Sequence, residues 1–261
     1  EGIIRHALTA NPYMNIILLA FADEDKIRDY RNGKAPAEVA LHDQLAKYYK
    51  LSFLNLAQEV QQRIANKEFT WKDDFKDLHP SPFGQEIYFQ TIKTLLKNVA
   101  GQYRNESLVK SILPAVQNKG YYGSGRYVSV DKATALKGFS VTPNWQPNDK
   151  AETRARFVHV PVLEANQPGA SFSFTFTGNA AGIAIVAGPD AGMIKYSVDG
   201  KPDKVMDLYT QWSGGLHLPW YLVLADGLPK GKHILKVQIT AQKNKDSKGN
   251  ACRIVYFLAN E

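Results

Sequence analysis

A single cysteine, Cys252, in 261 residues removes two kinds of construction. No disulfide can form within the chain, and no cysteine-built zinc site is available. Long hydrophobic runs are missing too. The longest, residues 16–22 (IILLAFA), falls far short of the ~18 residues that cross a bilayer, so no membrane partner is expected. Glycine (19) and proline (13) are too few and too irregular for a collagen-like or low-complexity chain. No two histidines share a metal-ligand spacing, and no internal repeat of fixed period is present. The composition that remains, 44% hydrophobic and 22% charged, is that of a chain able to bury a core. Its charge, 32 Lys and Arg against 25 Asp and Glu, is +7 and favours anionic partners such as acidic polysaccharide. The basic residues are scattered, however. They cluster only at residues 243–248 (KNKDSK), which reads as a solvated hairpin tip, so no nucleic-acid partner is expected.

Two halves of different period follow. The chain opens Glu-Gly-Ile-Ile-Arg-His-Ala-Leu, apolar at helical spacing and with neither an initiator Met nor a leader pattern, as if a segment had been removed upstream. The spacing predicts helices over residues 2–10, 36–50, 57–66 and from 82 onward, the last with Ser81 as cap and Pro82 in its first turn. Residues 14–22 and 51–56 read as buried strands. This alternation is the rhythm of a doubly wound α/β sheet, yet two strands cannot cover four helices. The expectation is a flavodoxin-like three-layer α/β/α domain lacking its N-terminal strands, which an upstream segment or a partner chain would supply. From about residue 150 the period becomes 2, most clearly in residues 171–177 (SFSFTFT). Strands are expected near 157–163, 182–187, 193–198, 221–225, 233–240 and 253–258, separated by Gly, Pro and Asp-Gly turns. That half reads as an all-β jelly roll or sandwich. The expected organisation is therefore 1–105 for the α/β part, 106–150 for a linker or crossover, and 151–261 for the β-sandwich.

The sharpest chemical signal is Asp77-Leu78-His79-Pro80-Ser81-Pro82-Phe83-Gly84, a carboxylate and an imidazole on a loop leading into a helix. A histidine serving as general base needs its second ring nitrogen held by an acceptor, and a carboxylate does this. The bland alternative is an Asp that stabilises a turn.

This block, opening the final helix of an α/β unit, resembles the last conserved block of the SGNH (GDSL-type) serine hydrolases, and the resemblance covers about residues 1–100. The segment after it, with Ala187-Gly188-Pro189-Asp190-Ala191-Gly192 and Leu216-His217-Leu218-Pro219-Trp220-Tyr221, looks like the accessory jelly-roll domain of bacterial members acting on carbohydrate esters. The resemblance implies a serine esterase that deacetylates a carbohydrate without cofactor or metal, in a secreted or periplasmic setting, with His79 as catalytic base and Asp77 orienting it. Two departures stand out. The family's acid lies three residues before the histidine, where this chain has Lys76, so Asp73, Asp74 or a backbone carbonyl remain alternatives to Asp77. The Gly-Asp-Ser nucleophile block occurs nowhere in the 261 residues, so the serine is expected upstream. Trp212, His217, Trp220 and Tyr221 form an aromatic segment suited to sugar contact or, equally, to a core cluster. The competing reading is a non-catalytic carbohydrate-binding or structural module carrying an incomplete hydrolase domain.

Overall fold

The computed structural model describes residues 1–102, 109–118 and 120–261. The chain divides into two compact units, Glu1–Lys119 and Gly120–Glu261. The boundary expected at residue 105 lies outside the described residues.

In the first unit, α1 (Gly2–Ala10) buries Ile4 and Leu8, one turn apart, and ends before Pro12. Asp23 caps α2 (Glu24–Arg31), its carboxylate accepting from Lys26 N at 2.8 Å. α3 (Ala37–Tyr49) closes on Lys50 in the left-handed conformation, and Asn55 caps α4 (Leu56–Ala65). A π-helical turn, Trp71–Phe75, precedes the long α5 (Pro82–Gln102). Only two strands are present among the described residues, β1 (Ile17–Leu19) and β2 (Ser52–Leu54), paired in parallel with Leu18 opposite Phe53.

The three-layer α/β/α expectation is therefore corrected. Strand exceeds helix over the chain, 31% against 27%, in three sheets with few helices. The first unit's sheet has two strands of three residues each. The segment from Met14 to Ala22 yields so little strand because β2 offers a partner for three residues only; past them the chain turns toward α2, burying Ala20 and Ala22. Two such strands cannot carry helix layers on both faces. The core instead forms as two clusters, one around Leu56, Val60, Phe75 and Tyr88, the other around Ile4, Leu8, Leu45 and Tyr49.

The second unit is two antiparallel sheets around one core. The remaining strands are β3 (Gly125–Ser129), β4 (Ala133–Lys137), β5 (Ser140–Thr142), β6 (Val162–Ala165), β7 (Ser171–Gly178), β8 (Ala180–Ala187), β9 (Met193–Val198), β10 (Lys204–Asp207), β11 (Leu218–Ala225), β12 (Gly231–Ile239) and β13 (Cys252–Asn260). The five-stranded sheet runs β10-β9-β12-β7-β4. The other runs β11-β8-β13-β6-β5, with β3 also pairing β13. Phe172, Phe174 and Phe176 alternate inward along β7, and Phe174 stacks on Phe257 of β13 with ring centroids 4.1 Å apart. Cys252 is fully buried, and that burial pushes its thiol up to about 12, so it is an inert core residue.

At one hairpin His233 carries an acceptor on each ring nitrogen: Asp199 Oδ2 lies 2.6 Å from Nδ1, and the Pro229 carbonyl 2.8 Å from Nε2. Two acceptors call for a proton on both nitrogens, and accordingly the Asp199 hydrogen bond, then the Pro229 one, hold the imidazole above its usual range. His233 bonding in turn lowers Asp199. The signs define a window. The raised histidine contributes stability in full below its unfolded value of about 6.5, and loses it as pH rises through the folded value. The depressed aspartate contributes above about 3.8, and loses it as pH falls through its own folded value. Thermal melting between pH 5 and 9 is expected to fall on the alkaline side, and Asp199→Asn to flatten that fall. An unchanged slope in the variant would contradict the assignment.

Candidate active-site loop and aromatic segments

The loop 76–80 hangs between two anchors. Phe75, fully buried, stacks on Trp71 (centroids 4.8 Å) and meets Tyr88 of α5 edge-on at 5.6 Å. Its carbonyl accepts from Ser81 N at 2.9 Å, while the Ser81 hydroxyl donates to the Asp74 carbonyl and accepts from Gly84 N at 3.3 Å. Gly84 is required here: a Cβ would stand 2.7 Å from Pro80 Cβ and 2.8 Å from the Phe75 ring. Lys76, at φ 88°, turns the chain outward between these anchors.

At the tip, Asp77 Oδ1 accepts from His79 N at 2.5 Å, an Asx turn, and the same oxygen lies 3.5 Å from His79 Nδ1. That second distance is longer than a formed hydrogen bond. The imidazole side chain is 86% exposed and makes no other hydrogen bond among the described residues, leaving Nε2 toward solvent. The two other aspartates are engaged elsewhere. Asp74 accepts from Thr70 N (2.7 Å) and Thr70 Oγ1 (3.0 Å), bonds that hold its carboxyl below the usual range, and Asp73 also faces Thr70. Asp77 is the carboxylate nearest the ring, and its turn aims it there.

In the second unit the aromatic segment divides. Trp212 and Trp220 are exposed, their rings 5.7 Å apart at 50°. Tyr221 is exposed as well, but on the opposite face of β11, beside Tyr127 and Phe157. His217 is 2% exposed. Its Nε2 lies 2.9 and 3.1 Å from the Asp149 carboxylate oxygens, and Trp145 packs edge-on against its ring. Gly188 admits this ring, since a Cβ there would lie 2.2 Å from Nδ1. Sequence reading alone did not reach Asp149, which lies 68 residues from its partner in an ordinary-looking Asn-Asp-Lys loop.

Among the described residues no three His, Cys, Asp or Glu side chains converge as metal ligands, and no helix is long and apolar enough to cross a membrane. No protein-family model matches the sequence, and no curated protein matches it. Solved structures do. The crystal structure of a two-domain esterase active on acetylated mannans is similar over 100% of this chain and 67% of its own, with a TM-score of 0.76 at 17% identity. Its co-crystal with mannopentaose gives 100%, 66%, 0.76 and 16%. Over its length the chain shares the fold of the matching part of that two-domain structure. It spans about two thirds of the length of those esterases.

Proposed function

We propose that the protein works as a serine ester hydrolase of SGNH type that removes acetyl groups from a carbohydrate, with His79 as base, Asp77 as its orienting acid, and the serine supplied by polypeptide outside these 261 residues. The observation that carries the reading is the Asp77–His79 pair: Nδ1 faces a carboxylate fixed by its own turn, while Nε2 is left toward solvent in a chain that shares the fold of part of a two-domain esterase. A serine Oγ attacks the acetyl carbonyl carbon, its proton passes to His79 Nε2, and Asp77 holds Nδ1–H against the developing imidazolium. Collapse of the tetrahedral intermediate expels the sugar oxygen, which takes that proton. Water then hydrolyses the acetyl-serine by the same proton route, releasing acetate and restoring the hydroxyl. A secreted or periplasmic setting suits a glycan ester.

A second reading, a non-catalytic carbohydrate-binding module, draws on the exposed Trp212–Trp220 pair. The natural polypeptide separates the two. His79→Ala is expected to slow deacetylation of an acetylated mannan by about a hundredfold or more, with melting unchanged because the ring is exposed. Wild-type turnover in His79→Ala would overturn the assignment, and absence of ester hydrolysis in the unaltered protein would favour the binding module.

A further inference from the structure

The tip of the loop that bears His79 has little to pack on. Lys76, Asp77, Leu78 and His79 are all exposed, and only the flanks are anchored. A segment without side-chain packing keeps one shape only through limits on its backbone. Most of those limits are plain. Lys76 N donates to the Trp71 carbonyl at 2.7 Å, and the Phe75 carbonyl accepts from Ser81 N across the mouth of the loop. The ring of Pro80 locks its φ, and the Asx turn ties His79 N to Asp77. The freedom that is left sits at Leu78 and at Lys76, where the chain leaves the π-helical turn.

Lys76 stands at φ 88°, ψ −81°. That is the compact γ-turn conformation, rare and strained for a residue that carries a Cβ. Lys50, which closes α3 at φ 55°, ψ 44°, shows the ordinary left-handed well, so ending a helix does not by itself demand the Lys76 geometry. A γ-turn reverses the chain within three residues. Here the reversal brings Asp77 Oδ1 to both His79 N, at 2.5 Å, and His79 Nδ1, at 3.5 Å. In the SGNH block that this loop resembles, the acid stands where Lys76 does. In this chain that position makes the turn, and the next residue delivers the carboxylate.

We infer that Lys76 is a positioning residue for the Asp77–His79 pair: its strained turn, narrowed by the Cβ, fixes where residue 77 stands and keeps the Asp77 carboxylate on His79 Nδ1. For its catalytic meaning this assignment rests on the hydrolase reading of the pair. Strain carries a sign that ordinary support lacks. A glycine at position 76 adopts the same φ and ψ without cost, and many others besides. Lys76→Gly therefore relieves the folded state, an effect offset in part by the wider freedom of the unfolded chain, while it lets the tip swing. Melting no lower than wild type is expected together with a displaced His79, whereas loss of a residue that only supported the loop would lower both.

The test compares Lys76→Gly and Lys76→Ala with the unaltered protein. Ring 15N shifts of His79 report which nitrogen carries the proton, and amide 15N relaxation of residues 77–79 reports their order. The unaltered protein and Lys76→Ala, which keeps the Cβ, are expected to hold Nδ1–H and an ordered tip. Lys76→Gly is expected to lose the Nδ1–H preference and to loosen at 77–79. In the natural polypeptide, kcat on an acetylated mannan should fall about tenfold or more in Lys76→Gly with KM unchanged, and Lys76→Ala should recover most of it. An unchanged tautomer and order in Lys76→Gly overturn the proposal. So does an equal loss in Lys76→Ala, which would give the effect to the ammonium, or an intact kcat in a Lys76→Gly protein whose tip is loose. Absence of ester hydrolysis in the unaltered protein removes the hydrolase reading instead, and the tautomer comparison, which needs no turnover, still decides whether Lys76 sets the pair.

Discussion

Phe75→Ala is expected to destabilise the first unit by about 3–5 kcal/mol, the range for emptying a fully buried aromatic site. The ring touches Trp71, Tyr88 and Phe69, and Gly84 has given up its side chain to let the ring close against α5. These neighbours are held by other bonds and cannot collapse into the gap: Tyr88 Oη accepts from Ala22 N at 2.9 Å, and Trp71 Nε1 donates to Glu24 at 3.2 Å. Urea unfolding followed by hydrogen exchange of α5 amides reads the loss, and a change below about 1 kcal/mol would show that the site relaxes. Because the Phe75 carbonyl and the Asp74 carbonyl are the anchors of the loop bearing His79, the same variant is expected to slow the proposed ester hydrolysis further than its folded fraction accounts for. Phe75→Leu, which fills most of the space, should recover both.

This coupling also explains what could be read from sequence. The Asp77–His79 pair was legible because an Asx turn and its ring contact are made within three residues. The phenylalanine alternation of β7 was legible because one face is core and the other is water. Residues 125–142 showed no period, and the reason is exposure: β3, β4 and β5 have hardly a buried side chain, and a strand without a buried face leaves no alternation. β8 was legible at residues 182–187 as a short apolar run, since it is buried on both faces along its whole length. In the first unit the apolar run at residues 14–22 suggested more sheet than forms, since strand length depends on a partner that local sequence does not specify. The Tyr127–Tyr221 contact spans 94 residues and exists only because β13 and β8 lie between the two strands that carry them.

Arg253→Met is expected to cost about 3–5 kcal/mol at pH 7, and most of that loss is expected to vanish on acidification. Arg253 lies on β13 with its guanidinium mostly covered, forked onto Asp190 at 2.6 and 2.7 Å. Glu164 Oε2 stands 3.4 Å from Nε, and the group lies 5.5 Å over the Trp145 ring. Burial alone would raise Asp190; the Arg253 bonds outweigh it and hold the carboxyl below its usual range. In the native protein this pairing contributes above the unfolded value of about 3.8 and is lost as pH falls through the depressed folded value. Removing the cation leaves a half-buried carboxylate on which burial is the largest remaining influence, opposed only by a backbone hydrogen bond and His217, so its folded value is expected to rise. The variant then gains relative stability as pH falls and Asp190 takes up a proton. The gap between the two proteins, measured by urea unfolding at pH 7 and 4.5, should narrow, and Asp190→Asn added to Arg253→Met should recover part of the loss at pH 7. An equal gap at both pH values would mean that the methylene stem and its packing on Trp145, rather than the charge, carry the effect. The location makes the distinction matter: Trp145 also holds the His217 ring, and Asp190 sits in the turn beginning at Gly188, on which that ring rests. Charge pairing at Arg253 thereby fixes the backbone around the buried His217 ring and its half-exposed partner Asp149, and its loss is expected to loosen that pair before the phenylalanine core gives way.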